Sequence, residues 1–226
     1  MVIAKDILND EEIINIYNEI DKVNDVPFNH GYKHVKNVYS IMEKLCDVFK
    51  IAGLEKEALL ISAVLHDVGQ VDGRENHAFK SMVFSKDYLL KFKDELGEYY
   101  DIILTAIKNH GSKEEMMEYP LFIHLLRFAD KMDFSHERLE DNYKEKFGYF
   151  ISEDITNVDF KYDDTFSLII TLNSDPLKLV NETRFFPKVF NAVEMLAKKL
   201  GVEHRIIING DNYTIDCNKT LNSYKK

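Results

Sequence analysis

Apolar residues recur at helical spacing through most of the first 135 positions. Ile13, Ile14, Tyr17 and Ile20 mark one stripe. Val35, Val38, Ile41, Leu45 and Val48 mark a second, and Leu59, Ala63 and Leu65 a third. Asn9 or Asp10 can cap the first helix, with Glu11 and Glu12 at its positive end. The second helix is expected over residues 32–50, and the third from about 55 to about 69. Residues 70–74 read as a loop. A fourth helix is expected over 75–92, and a fifth over 98–110, closed by Gly111 as a left-handed stop. Pro120 suits the first turn of a sixth helix running to about 133, and a seventh is expected after Ser135.

The pattern changes after residue 153. Residues 155–162 and 166–172 read as strands joined by a turn at Asp163-Asp164. Residues 184–200 read as a helix closed by Gly201. Two further strands, 205–208 and 213–215, flank Asn209-Gly210-Asp211, a hairpin signal. The expected fold class is therefore mainly α: a helical bundle over residues 1–150, then a small C-terminal α+β subdomain (β-β-α-β-β) over 151–226. The last six residues are expected to fray.

Composition narrows the function classes. With 45% hydrophobic and 30% charged residues, the 226-residue chain is neither disordered nor fibrous. Lys and Arg number 29 against 39 Asp and Glu, a net charge of −10, which excludes a general nucleic-acid binder. A small phosphorylated substrate stays open, because it needs only local positive charge and bound metal ions supply that. No apolar run approaches the ~18–20 residues of a membrane span. The opening Met-Val-Ile-Ala-Lys-Asp has no long apolar core, so no secretory signal and a cytoplasmic location are expected. Cys46 and Cys217 form no CxxC or zinc-finger spacing and read as free thiols. The oligomeric state is open.

Chemistry concentrates on the helical stripes. His34 shares the face of Val38, Ile41 and Leu45, and His66 ends the apolar run 59–65 with Asp67 next to it. His110 continues Ile103, Ala106 and Ile107, and Asp130 shares a face with Ile123, Leu126 and Phe134. A polar group buried without a partner costs ~1–3 kcal/mol, and a carboxylate more. A common solution for polar groups on several helices is a metal site in the bundle core. Histidine and carboxylate together suit Mn, Fe, Co, Ni or Zn rather than Ca.

The ordered segments Asn29-His30-Gly31-Tyr32-Lys33-His34-Val35, Leu65-His66-Asp67-Val68-Gly69 and Phe128-Ala129-Asp130-Lys131-Met132-Asp133 resemble the HD superfamily of metal-dependent phosphohydrolases. The resemblance covers about residues 25–135 and implies a helical HD-type domain. It also implies metal ligands His34, His66, Asp67 and Asp130, with one or two divalent ions per chain. His34 fits the ligand position because it opens an apolar helix, whereas His30 lies in the loop before it, where a substrate or supporting role is considered. His77 and His110 stand where two-metal members place further histidines; they would hold a second ion, with Asp67 as bridge, or bind substrate phosphate. Asp67 would also orient the attacking water or accept its proton. Arg74 and Lys131 are candidate phosphate clamps, and Asp72 and Asp133 candidate supports of the ligands. Gln70 stands where many members carry lysine, and Asn37 where some carry arginine. His124, His136 and His204 fall outside the pattern and read as surface or structural residues.

The implied activity is hydrolysis of a small phosphate ester, a nucleotide or related mono- or diester. Two alternatives share much of the ligand list: an HD-type di-iron oxygenase, and a nucleotide-binding regulatory module without turnover.

Overall fold

The structure, a computed structural model, describes residues 3–23, 29–111, 118–134, 154–181 and 186–214. They fall into two units, Met1–Asp133 and Phe134–Lys226. The expected division at 150/151, the seventh helix after Ser135, His136 and Cys217 lie outside the described residues.

The first unit is helical: α1 (Ala4–Leu8), α2 (Glu11–Val23), α3 (Tyr32–Val48), α4 (Gly53–Leu65), α5 (His77–Leu89), α6 (Lys93–Leu96), α7 (Tyr99–Asn109) and α8 (Pro120–Met132). Asp10 starts α2 as expected, its Oδ1 accepting from the Glu12 N–H at 2.9 Å. The short α1 carries no stripe long enough to read from sequence, yet Ala4, Ile7 and Leu8 are buried. Helix α4 is the centre of the unit. All its residues from Ala58 to Leu65 are buried, and it packs against α1, α3, α7 and α8. A helix that is apolar on every side has to be enclosed in this way.

Three expectations are corrected. The buried face of α3 runs through His34, Val35, Val38, Tyr39, Met42, Leu45 and Cys46, so Ile41 and Val48 flank it half-buried. Residues 70–74 are not simply a loop, because Val68–Asp72 winds into a 3₁₀ turn directly after the His66-Asp67 pair. Gly111 is not a left-handed stop for α7. The last carbonyls of that helix are satisfied instead by Arg127 of α8, whose Nε donates to His110 O at 3.1 Å and whose Nη2 donates to Asn109 O at 3.0 Å.

The second unit holds a four-stranded sheet in the order β1 (Ile155–Tyr162), β2 (Thr165–Leu172), β3 (Glu203–Ile208), β4 (Asp211–Tyr213). Helices α9 (Pro176–Val180) and α10 (Phe186–Leu200) carry the chain from β2 to β3, which pair in parallel; the other two pairings are antiparallel. Phe166, Leu168 and Ile170 of β2 are buried, as are Val189, Phe190 and Val193 of α10. Gly201 ends α10 at φ +70°, as its position predicts. Strand β4 begins earlier than expected. Asn209 (φ 51°) and Gly210 (φ 91°) form a two-residue turn, so Asp211 already pairs with Ile208.

Candidate metal centre

Five histidines and two aspartates, carried by helices and by the turns that adjoin them, converge in the first unit. The structural cause is local. Helix α4 delivers His66 at its C-terminal end, and the chain turns at Asp67 (φ −116°, ψ 3°) into the 3₁₀ segment. This backbone region is sparsely populated and often hosts active-site residues. Tyr17 of α2 steadies the turn by donating its hydroxyl to Val64 O at 2.6 Å.

Asp67 is the hub. Its Oδ2 lies 2.9 Å from His30 Nδ1, 3.3 Å from His66 Nε2 and 3.9 Å from His34 Nε2. Its Oδ1 lies 3.4 Å from His77 Nε2 and 3.5 Å from His110 Nε2. Asp130 Oδ1 closes the first group, 3.4 Å from His34 Nε2 and 3.9 Å from His66 Nε2. Lys131 Nζ holds the other oxygen of Asp130.

The histidine tautomers follow from the partners. His66 Nδ1 meets Ala63 O at 2.9 Å, His77 Nδ1 meets Arg74 O at 3.0 Å, and His110 Nδ1 meets Ile107 O at 2.7 Å. A carbonyl only accepts, so each Nδ1 donates, and each Nε2 is turned toward the aspartates. His34 is set in the same way by a carboxylate, its Nδ1 donating to Asp133 Oδ2 at 2.6 Å. Asn37 in turn donates to Asp133 Oδ1 at 3.0 Å.

A divalent ion fits this arrangement. Ligand atoms that share one ion at ~2.1 Å each lie roughly 3–3.5 Å apart, and the separations around Asp67 and Asp130 run from 3.3 to 3.9 Å. His66 Nε2 and Asp67 Oδ1 are buried without a hydrogen-bond partner. Buried polar atoms of native proteins are rarely left so, and an ion is a standard reason. Three sets, His30-His34-Asp67, His34-His66-Asp130 and His66-Asp67-His110, each bring their ligand atoms within 4.8 Å of one another. Electrostatics agree. Burial alone would raise the Asp67 carboxyl, but the imidazoles around it, His66 foremost, hold it well below the ordinary carboxylate range. Burial alone would lower His66, but Asp67 and Asp130 outweigh it and raise the ring. Carboxylates that stay ionised and favour positive charge on a buried ring favour a cation beside them as well.

The remaining site expectations divide. Asp133 meets a ligand, as described. Arg74 and Asp72 are exposed; Arg74 O orients His77, and Asp72 O accepts from Lys80 Nζ at 2.7 Å, which ties the turn to α5. His124 is buried on α8, and His204 lies half-buried on β3. His30, Asn37 and Arg127 were outside the expected ligand set. For His30 the only signal is its nearness to His34 in the chain, because it lies in the loop that leads into α3. Replacing Asp133 by Ala removes the acceptor that orients His34. The expected result is a 10–100-fold weaker metal affinity, measured by competition with a chelating dye, with the fold retained by circular dichroism.

Among the described residues no helix is long and apolar enough to cross a membrane. No curated protein matches the chain. Residues 31–135 match the family model of the HD domain, a family whose members bind divalent metals and are generally metal-dependent phosphohydrolases. That span contains His34, His66, Asp67, His77, His110 and Asp130, and so the helical unit of this chain belongs to the HD-domain superfamily.

Proposed function

We propose that the protein is a metal-dependent phosphohydrolase that cleaves a small phosphate mono- or diester, a nucleotide or a related compound. The observation that carries this reading is the division of Asp67: one oxygen faces His34 and His66, the other faces His77 and His110. His34, His66, Asp130 and Asp67 Oδ2 would hold one ion, and His77, His110 and Asp67 Oδ1 a second. A bound transition-metal ion supplies Lewis acidity at phosphoryl oxygen and lowers the pKa of water from 15.7 toward ~7.

The chain's own residues do the rest. The Nδ1 partners fix every imidazole before substrate arrives, so the donor atoms need no reorganisation. Asp67 is held ionised, so its oxygens would accept a hydrogen bond from the attacking water and orient it. Lys131, about one-third exposed beside Asp130, places a cation where a phosphoryl oxygen would approach. An acidic chain with this local cation suits a small anionic substrate better than a nucleic acid.

The test is metal analysis of protein purified without chelator, with phosphate release measured over nucleotides and cyclic dinucleotides. One or two equivalents of a transition metal and chelator-sensitive phosphate release are expected. Iron with oxygen consumption and no phosphate release would replace this reading by the oxygenase one.

A further inference from the structure

We infer that Arg127 is a positioning residue for His110, and through it for the second-ion pocket. This rests on the two-ion reading above for its consequence, though not for its geometry. Arg127 is 9% exposed, and its guanidinium reaches back from α8 to the carbonyls of Asn109 and His110. Those are the last carbonyls of α7, where the helix dipole is negative and a cation is favoured. Gly111, which follows, does not adopt the left-handed conformation that would have closed the helix by backbone alone. The end of α7 is therefore shaped by a side chain from another helix.

That end carries a ligand. His110 follows the last helical residue, its Nδ1 returns to Ile107 O at 2.7 Å, and its Nε2 lies 3.5 Å from Asp67 Oδ1. Moving the His110 carbonyl moves the ring with it, because both hang on one Cα. Arg127 also stands one turn before Asp130 on α8. One helix thus presents the carboxylate of the first pocket and the cation that seats a histidine of the second. A planar fork satisfies two carbonyls at once, whereas a lysine reaches one.

The experiment uses the full chain with Arg127→Gln and, as the milder variant, Arg127→Lys. Imidazole ¹⁵N resonances are recorded in the metal-free proteins. The inference expects the His110 signals to shift or broaden in Arg127→Gln, less so in Arg127→Lys, while His34 and His66 keep their wild-type positions. It also expects the bound zinc, counted after desalting, to fall from two equivalents to about one in Arg127→Gln. Unchanged His110 resonances would overturn it. So would equal changes at His34, His66 and His110, which would make Arg127 a general prop of the bundle. Should Arg127→Gln fail to fold, the same comparison in Arg127→Lys decides. A wild-type chain that takes only one ion would defeat the two-ion reading, and the His110 resonances would still decide the role of Arg127.

Discussion

Asp67→Ala is expected to abolish turnover and metal retention together, with the loss in kcat/KM reaching about 10³-fold or more, equivalent to ~4 kcal/mol of transition-state stabilisation. The magnitude follows from position. Among the described residues Asp67 alone has its two oxygens facing both histidine groups, so its removal would take one ligand atom from each pocket. Truncation also takes the Asp67 carboxylate from the Nε2 atoms of His77 and His110, and leaves His34 and His66 facing Asp130 alone. The fold should survive, because the backbone of the turn is held by other bonds: Gln70 N donates to Asp67 O at 2.9 Å, and Tyr17 holds Val64 O. A clean readout is thermal denaturation with and without added metal. A ligand at 100 times its Kd stabilises the native state by about 2.7 kcal/mol. Wild-type protein should gain such a shift in Tm, and Asp67→Ala should gain almost none. A variant that keeps the metal-induced shift would remove Asp67 from the centre.

The candidate ligands are readable in the sequence because they break a rule. His34, His66 and Asp130 occupy positions that helical periodicity assigns to the dry side, and burying them requires a shared partner. The supports around them break no rule, and so they were mostly invisible. Asn37 stands on a half-buried position of α3, and nothing about an asparagine there announces the carboxylate of Asp133, 96 positions away, that it holds. Arg127 looks like an ordinary arginine on an amphipathic helix until α7 is laid against α8. The backbone supports given by Arg74 and Asp72 depend on the winding of residues 68–72, and side-chain chemistry does not encode it. In the second unit the strands were legible from alternation. The start of β4 was not, because a three-residue reading of Asn209-Gly210-Asp211 competes with the two-residue turn that forms.

Gly69→Ala is expected to be the most damaging one-carbon change in the first unit, and for a reason unconnected with backbone torsion. Gly69 is not in the left-handed region; it is needed because α5 crosses directly over it. A Cβ at Gly69 would lie 2.3 Å from the backbone N of Ser81, 2.6 Å from Lys80 Cβ and 2.7 Å from His77 O. Two of these three neighbours are main chain, so no side chain can swing aside to relieve the clash. The 3₁₀ segment and the first turns of α5 would have to separate. That separation would strain the Gly69 N–H to Ser81 Oγ bond, now 2.9 Å, which pins the two elements together. Overpacking of this kind costs about 1–3 kcal/mol or more, and a Tm lower by roughly 5 °C is the expected result. The displaced segment begins at His77, whose Nε2 faces Asp67 Oδ1, so the variant should also lose affinity for the second ion before it loses the first. Stepwise metal titration of the folded variant below its Tm measures this. Two wild-type binding events together with a wild-type Tm would show that α5 can lift from the turn at no cost, and the close approach would then have no part in building the site.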